Sequence, residues 1–123
     1  MIRLEPWSDF AERELRRVAG LDLPDIRREV LAGVSQLWHC NNVDGRGCYG
    51  YVVTRLERRG DGLEWVWLAC AGKGFGAVVE LFLQAAKAAD LPIRVYINRK
   101  GMQRMYERLG FEVSETIMRK RWQ

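Results

Sequence analysis

A chain of 123 residues, 48% apolar and 29% charged, has the size and composition of one globular domain, with enough apolar material for a core but not for two. No run reaches the roughly 18 apolar residues of a membrane span, the opening Met1-Ile2-Arg3-Leu4-Glu5-Pro6 lacks a secretory stretch, and the scattered Cys40, Cys48 and Cys70 form no disulfide framework. The expectation is a reduced, cytoplasmic, single-domain protein over residues 1–123, monomer or homodimer, with no membrane partner. The net charge of +4 favours phosphate-bearing ligands in a general way. It is dispersed, however: Arg13, Arg16 and Arg17 interleave with Glu12 and Glu14 as on a solvated helix face. The tail Arg119-Lys120-Arg121-Trp122 is dense but carries no recognition motif, so a nucleic-acid partner is not expected.

Taken in chain order, Ile2 and Leu4 alternate with charge like a short edge strand that ends at Pro6. Ser8 or Asp9 can cap a helix with the apolar stripe Ala11, Leu15 and Val18, ending near Gly20. Asp22 and Pro24 open a second helix with Ile26, Val30 and Leu31 apolar and Gly33 near its end. Residues 36–41 read as a strand, and the turn-rich Asn42-Val43-Asp44-Gly45-Arg46-Gly47 leads to another over 48–57. Arg59-Gly60-Asp61-Gly62 is a hairpin signal, with Asp-Gly suited to the positive φ of a tight turn. The apolar run 63–70 should then return antiparallel to 48–57. Trp65 and Trp67 point to one face of it and Val66 and Leu68 to the other, as in a central strand covered on both sides.

The period then becomes helical: Phe75, Val78, Val79, Phe82, Ala85, Ala86 and Ala89 share one stripe. Pro92 closes that helix and residues 93–97 form a short β-rich run. Met102, Met105, Tyr106 and Leu109 mark a further helix stopped by Gly110. Residues 111–113 and 117–122 are expected as terminal strands. The order β-α-α-β-β-β-α-β-α-β-β implies a three-layer α/β (α+β) arrangement.

Gly72-Lys73-Gly74-Phe75-Gly76 lies between the apolar strand and the strongest helix. Glycines there allow a tight turn and let a ligand approach without a Cβ in the way. The first amides of a helix lack internal acceptors and carry the positive dipole end, so the unit suits an anion, and Lys73 adds a point charge. Gly72-x-Gly74-x-x-Ala77 also fits the dinucleotide fingerprint, but that fold expects the loop after its first strand and an acid at the end of the next. Here the loop comes late and Ile97-Asn98 supplies no carboxylate. A P-loop is excluded because no G-x-x-x-x-G-K-[ST] occurs. A purely structural turn stays open.

Two segments together resemble the GNAT superfamily of N-acyltransferases. Ala71-Gly72-Lys73-Gly74-Phe75-Gly76 is similar to that family's Q/R-x-x-G-x-G/A pyrophosphate loop, departing at Ala71, and Met105-Tyr106-Glu107-Arg108-Leu109-Gly110-Phe111-Glu112 to its hydrophobic-Y-E-K-L-G-F segment. The resemblance covers about residues 63–122, and the compact GNAT-like proteins common among phage genes are of this kind. It implies a GNAT-like fold, a mixed central sheet flanked by helices, with strand 93–97 splaying from 63–70. It also implies coenzyme A or acetyl-coenzyme A as cosubstrate and no metal. Backbone groups near Leu68, Ala69 and Cys70 would pair with the pantetheine arm, amides of Ala71, Gly72, Lys73, Gly74, Phe75, Gly76 and Ala77 would hold the pyrophosphate, and Tyr106 would protonate the departing thiolate.

A phenol can do this by donating to a weak base as the bond breaks; the alternative for Tyr106 is core packing beside Met102. Glu64, the one acid in 63–70, is the family-like position for a base toward an amine acceptor, or else a solvent-facing strand-end charge. His39 reads as a strand or surface residue, and as strand neighbours His39 and Cys40 point to opposite faces. His39, Cys40, Cys48 and Cys70 lack metal-ligand spacing. The reading is an acyl-coenzyme A-dependent N-acyltransferase acting on an amine. The alternative is a catalytically inactive GNAT-fold coenzyme A-binding or protein-interaction module, prompted by Ala71 and by Asn98 standing one residue out of step with the family spacing. A nucleic-acid-associated module rests on the tail and net charge alone.

Overall fold

Ser8 sits in an extended conformation and its hydroxyl accepts a hydrogen bond from the Ala11 amide at 3.1 Å, so it is Ser8 rather than Asp9 that starts the first helix. The computed structural model describes residues 2–96 and 100–113. Strand β1 (Ile2–Leu4) is followed by helix α1 (Asp9–Ala19), a 3₁₀ turn (Gly20–Asp22) and helix α2 (Leu23–Leu31). Strands β2 (Gln36–Cys40), β3 (Tyr49–Arg59) and β4 (Gly62–Lys73) come next, then helix α3 (Phe75–Ala89), strand β5 (Ile93–Val95) and helix α4 (Lys100–Arg108). Residues 111–113, expected as a strand, are without regular structure. The expected strand 117–122, the basic tail, Ile97 and Asn98 lie outside the described residues, as do the side chains of Phe75 and Met102.

The five strands form one mixed sheet in the order β1-β2-β3-β4-β5, antiparallel except for the parallel pair β4–β5, whose crossover is α3. The β3–β4 hairpin differs from the Asp-Gly expectation. Arg59 pairs with Gly62, so the two-residue loop is Gly60-Asp61, and the positive φ of +62° falls on Gly60. Gly at the first central position is the other common solution for a tight hairpin.

Two apolar clusters flank the sheet. On one face Val78, Val79, Phe82 and Ala86 of α3 and Tyr106 of α4 pack on Val52, Trp65 and Trp67. On the other, Ala11 and Leu15 of α1 and Leu23 and Ile26 of α2 pack on Leu37, Tyr51, Val53 and Ala71. Burying a side chain such as Phe82 or Leu15 contributes about 1.5–3 kcal/mol relative to leaving it in water. Leu31, assigned to the α2 stripe, is 65% exposed at the end of the helix, while Val30 before it packs against the α1–α2 cluster.

One irregularity shapes the rest. The β3–β4 register runs from Tyr49↔Lys73 to Val53↔Ala69 and then shifts, Thr54 facing Trp67, so that Leu68 is an extra residue in β4. Such a bulge bends its strand and changes the phase of alternation. Trp65 and Trp67 face α3 as expected, and Leu68 packs with the α1–α2 cluster. Beyond the bulge Cys70 joins the tryptophans on the α3 face, where strict alternation would place it on the other.

Candidate functional site

The bulge coincides with the end of strand pairing. Trp65↔Ile93, Val66↔Arg94 and Trp67↔Val95 are the β4–β5 pairs, yet β4 runs on to Lys73. Among the described residues, the β5-facing edge of residues 68–73 has no strand partner, including the backbone of Leu68, Ala69 and Cys70. An unpaired edge of this kind can receive an extended chain.

That edge leads to the start of α3. Gly74 adopts φ +78° at the N-cap position and no side chain caps the helix. The amides of Ala77 and Val78 both donate to the Gly74 carbonyl, at 3.2 and 3.3 Å. Phe75 and Gly76, the two residues before them, have no carbonyl within the helix to receive their amides. The first turn holds no acidic side chain, and Lys73 beside it is exposed. Ala71, Gly72 and Lys73 belong to β4, in register with Tyr51, Gly50 and Tyr49 on one edge and without a strand partner among the described residues on the other, and the Ala77 amide is engaged.

The loop glycines have different reasons. A Cβ on Gly72 would stand 2.1 Å from the Tyr49 carbonyl oxygen, and one on Gly74 2.1 Å from Cys48 Sγ. Both positions thus serve packing against the start of β3 and the residue before it. Gly76 is the exception: a Cβ there meets nothing within 4 Å. Gly50 has its own constraint, since a Cβ on it would come within 2.8 Å of Val78, so a bare strand residue lets α3 lie close to the sheet. The turn preceding β3 is held by Asp44, which accepts from the Arg46 amide at 2.9 Å and from the Cys48 thiol at 2.9 Å.

Tyr106 is 3% exposed on the α3 face, its ring edge-on to Phe111 at 5.0 Å and tilted against Trp67 at 6.5 Å. Burial pushes its phenol above the ordinary value, and neighbouring Cys70 adds to the effect. Burial likewise pushes the Cys70 thiol up to about 12. Both groups are neutral at physiological pH, so this wall of the site is uncharged.

Glu64 is not brought to Tyr106. It alternates with Trp65 and faces the opposite side of the sheet, where its Oε1 lies 3.4 Å from Arg94 Nε and 3.6 Å from Arg59. The network it belongs to, with Arg55, Glu57 and Arg94, was missed in the sequence; the only local signal is the charge alternation of Arg55-Leu56-Glu57. His39 stacks on Tyr51 at 4.5 Å with Nδ1 3.2 Å from Glu5 Oε1, away from the loop, while Cys40 is buried on the α3 face. All three cysteines are free. Among the described residues no helix is long and apolar enough to cross a membrane.

These elements make a GNAT-like fold, a mixed sheet flanked by helices, in which the described β4–β5 pairing ends at Trp67↔Val95. The chain is similar to an acetyltransferase from Trypanosoma brucei at 14% identity, over 99% of this chain and 100% of that one, with a TM-score of 0.56. It is also similar to a tetramutant of the BH1408 protein from Bacillus halodurans, at 14% identity over 99% of each chain with a TM-score of 0.63. A mutant of the TTHA1254 protein from Thermus thermophilus matches at 18% identity, over 98% of this chain and 97% of that one, with a TM-score of 0.53. At such identities the likeness shows the fold. No family model and no curated protein matches the sequence. The neighbours are bacterial and trypanosomal and lend no support to a phage origin.

Proposed function

We propose that the protein is an acyl-coenzyme A-dependent N-acyltransferase that moves an acetyl or related acyl group to an amine. The observation that carries this reading is the continuity of two features: the edge of residues 68–73, unpaired among the described residues, runs directly into the uncapped N-terminus of α3. A pantetheine arm is an extended amide chain that such an edge can pair with, and a pyrophosphate suits the free amides of Phe75 and Gly76 with Lys73 nearby. The acetyltransferase likeness of the fold agrees with this.

In the transfer, the amine nitrogen bonds to the thioester carbon, the carbon–sulfur bond breaks, and the thiolate leaves with the electron pair. Tyr106 supplies a hydrogen bond, and in the limit its proton, to that sulfur. The raised pKa keeps the phenol a donor at physiological pH and makes complete proton transfer uphill, so stabilisation of the departing sulfur is its main contribution. Glu64 serves as an anchor for Arg94 and Arg59, and the amine gives up its proton to water. The same ion pairing of Glu64 favours a second reading, a coenzyme A-binding module without turnover.

The test is Tyr106→Phe, which keeps nearly all the packing volume. Coenzyme A binding should be nearly unchanged while thiol release with an active amine falls by about 10²–10⁴. Equal turnover in wild type and variant would return Tyr106 to a packing role, and a wild type that binds coenzyme A but acylates no amine in a broad panel would establish the second reading.

A further inference from the structure

We infer that Arg94 is a positioning residue for the coenzyme A arm, clamping β5 to β3 and β4 where the described β4–β5 pairing ends; this rests on the coenzyme A reading above. Arg94 is the middle residue of β5, in register with Val66 and one step before the last pair, Trp67↔Val95. Its guanidinium donates to Glu57 of β3, reaching across β4, and its Nε lies 3.4 Å from Glu64 Oε1 on β4 itself. The same guanidinium stands 5.5 Å from the centre of the Tyr96 ring, the first residue beyond the strand. One side chain thus ties together three strands and Tyr96, the residue that follows β5.

The clamp is anchored further. Glu57 also accepts from Arg55 at 3.3 Å, and Arg55 donates to Glu29 of α2 at 2.6 Å, so the chain of charges crosses from β5 to the helical layer. Side-chain exposure is 21% for Arg94 and 14% for Glu64, which keeps the pairs partly shielded from water and makes their geometry more constraining than at an open surface.

A clamp is needed there because β5 pairs with β4 over only residues 93–95. To admit an extended arm, the segment beyond must stand off by two strand spacings, about 9.6 Å, a separation that so short a ladder does not enforce. Errors of an ångström in such positioning are costly even when made far from the reacting atoms. The sequence shows none of this, since Glu57, Glu64 and Arg94 meet only in the folded sheet.

The experiment titrates coenzyme A and ADP into the folded wild type, Arg94→Met and Arg94→Lys, reading chemical shifts or heat. ADP carries the pyrophosphate without the pantetheine arm, so it reports on the loop alone. Arg94→Met should bind coenzyme A about tenfold to a hundredfold more weakly, with ADP affinity held within about twofold, as expected of a site not coupled to the change. Arg94→Lys, which keeps the charge toward Glu57 and Glu64, should recover most of the loss. Should Arg94→Met not fold, Glu57→Gln takes its place with the same expectation in weaker form. Unchanged coenzyme A affinity in the variant, or equal loss of coenzyme A and ADP, would overturn the inference and leave Arg94 a general stabiliser. A wild type that binds ADP but not coenzyme A overturns it too, and one that binds neither refutes the coenzyme A reading itself.

Discussion

The starts of α1 and α3 pose the same chemical problem, a set of amides with no partner inside the helix, and the chain answers it in two ways. At α1 the Ser8 side chain accepts from the Ala11 amide, Asp9 and Glu12 occupy the first turn, and Glu12 goes on to accept from Trp7 Nε1 at 3.1 Å. The positive end of that helix is satisfied from within. At α3 the capping position is a left-handed glycine, the first turn has no acid, and Gly76 looks onto open space. The second arrangement gives up about 1 kcal/mol of capping that a Ser, Thr, Asp or Asn would supply. On the coenzyme A reading proposed above, these uncapped amides, beside an edge unpaired among the described residues, are where the phosphates would sit.

The largest expected effect tests the structural half of the α3 loop. Gly72→Ala drives a Cβ into the Tyr49 carbonyl at a φ of +151°, so backbone must move. Strain and overpacking together should cost about 3 kcal/mol or more, seen as a fall in Tm of about 10 °C. If Gly72→Ala melts like wild type, the loop is not held against β3 as described.

Gly76→Asp tests the half of the loop proposed to face ligand, and its two effects have opposite signs. Wild type with acetyl-coenzyme A at ~100 times its Kd should gain roughly 2.7 kcal/mol of stability. An aspartate at Gly76 should abolish that gain by repelling phosphate. The same charge near the positive end of α3 should stabilise the free protein by about 0.3–1 kcal/mol. A thermal-shift series with and without acetyl-coenzyme A reads both, and a ligand response that survives in Gly76→Asp would place the anion site elsewhere. Gly74→Glu is a poor substitute, since its side chain would first collide with Cys48.

The α3 side should also show an alkaline limb. Cys70 and Tyr106 both have pKa values raised in the folded state, Cys70 up to about 12 from an ordinary value of 9.0. A group whose folded pKa is raised contributes stability in full below its unfolded pKa and loses it as pH rises toward the folded value. Urea midpoints should therefore stay level through neutrality on account of these groups and decline above about pH 9. Cys70→Ala should flatten the first part of that decline; an unchanged slope would show that the thiol is not desolvated in solution.

The smallest effect is Ser8→Ala. Losing the α1 cap should cost about 1 kcal/mol, a Tm decrease of a few degrees, with the acetyl-coenzyme A response intact. A variant that lost its ligand response as well would mean that the two termini are coupled and the contrast between them too simple.

Much of the fold could be read locally. The α3 stripe is carried by residues a few positions apart, and Val78, Val79, Phe82 and Ala86 are indeed its buried face. Trp65 and Trp67 were correctly set against Leu68 by alternation, and the glycine loop was correctly placed between β4 and α3. The phase change at Cys70 escaped because nothing in the run 63–70 announces a bulge; it arises from register with β3. The hairpin loop was displaced by one residue, since Gly60-Asp61 and Asp61-Gly62 are both acceptable turn pairs and strand register chooses between them. For the candidate site, Tyr106 and the loop stand out in the sequence as motifs only, whereas the engagement of Glu64 depends on Arg94, thirty positions away in the chain and adjacent only across the sheet.

What the sequence determined by itself was therefore the order of the elements from β1 to α4, the apolar faces of the helices, and the strand–glycine–helix unit. Periodicity, turns and breaks are properties of contiguous residues, governed by a backbone geometry that repeats over a few positions. Tertiary structure alone decided which glycines serve packing and which faces open space, which face Cys70 occupies, and that Glu64 is tied to Arg59 and Arg94. Each of these is a matter of distance between groups remote in the chain, where a single shift of register moves side chains from one face of the sheet to the other.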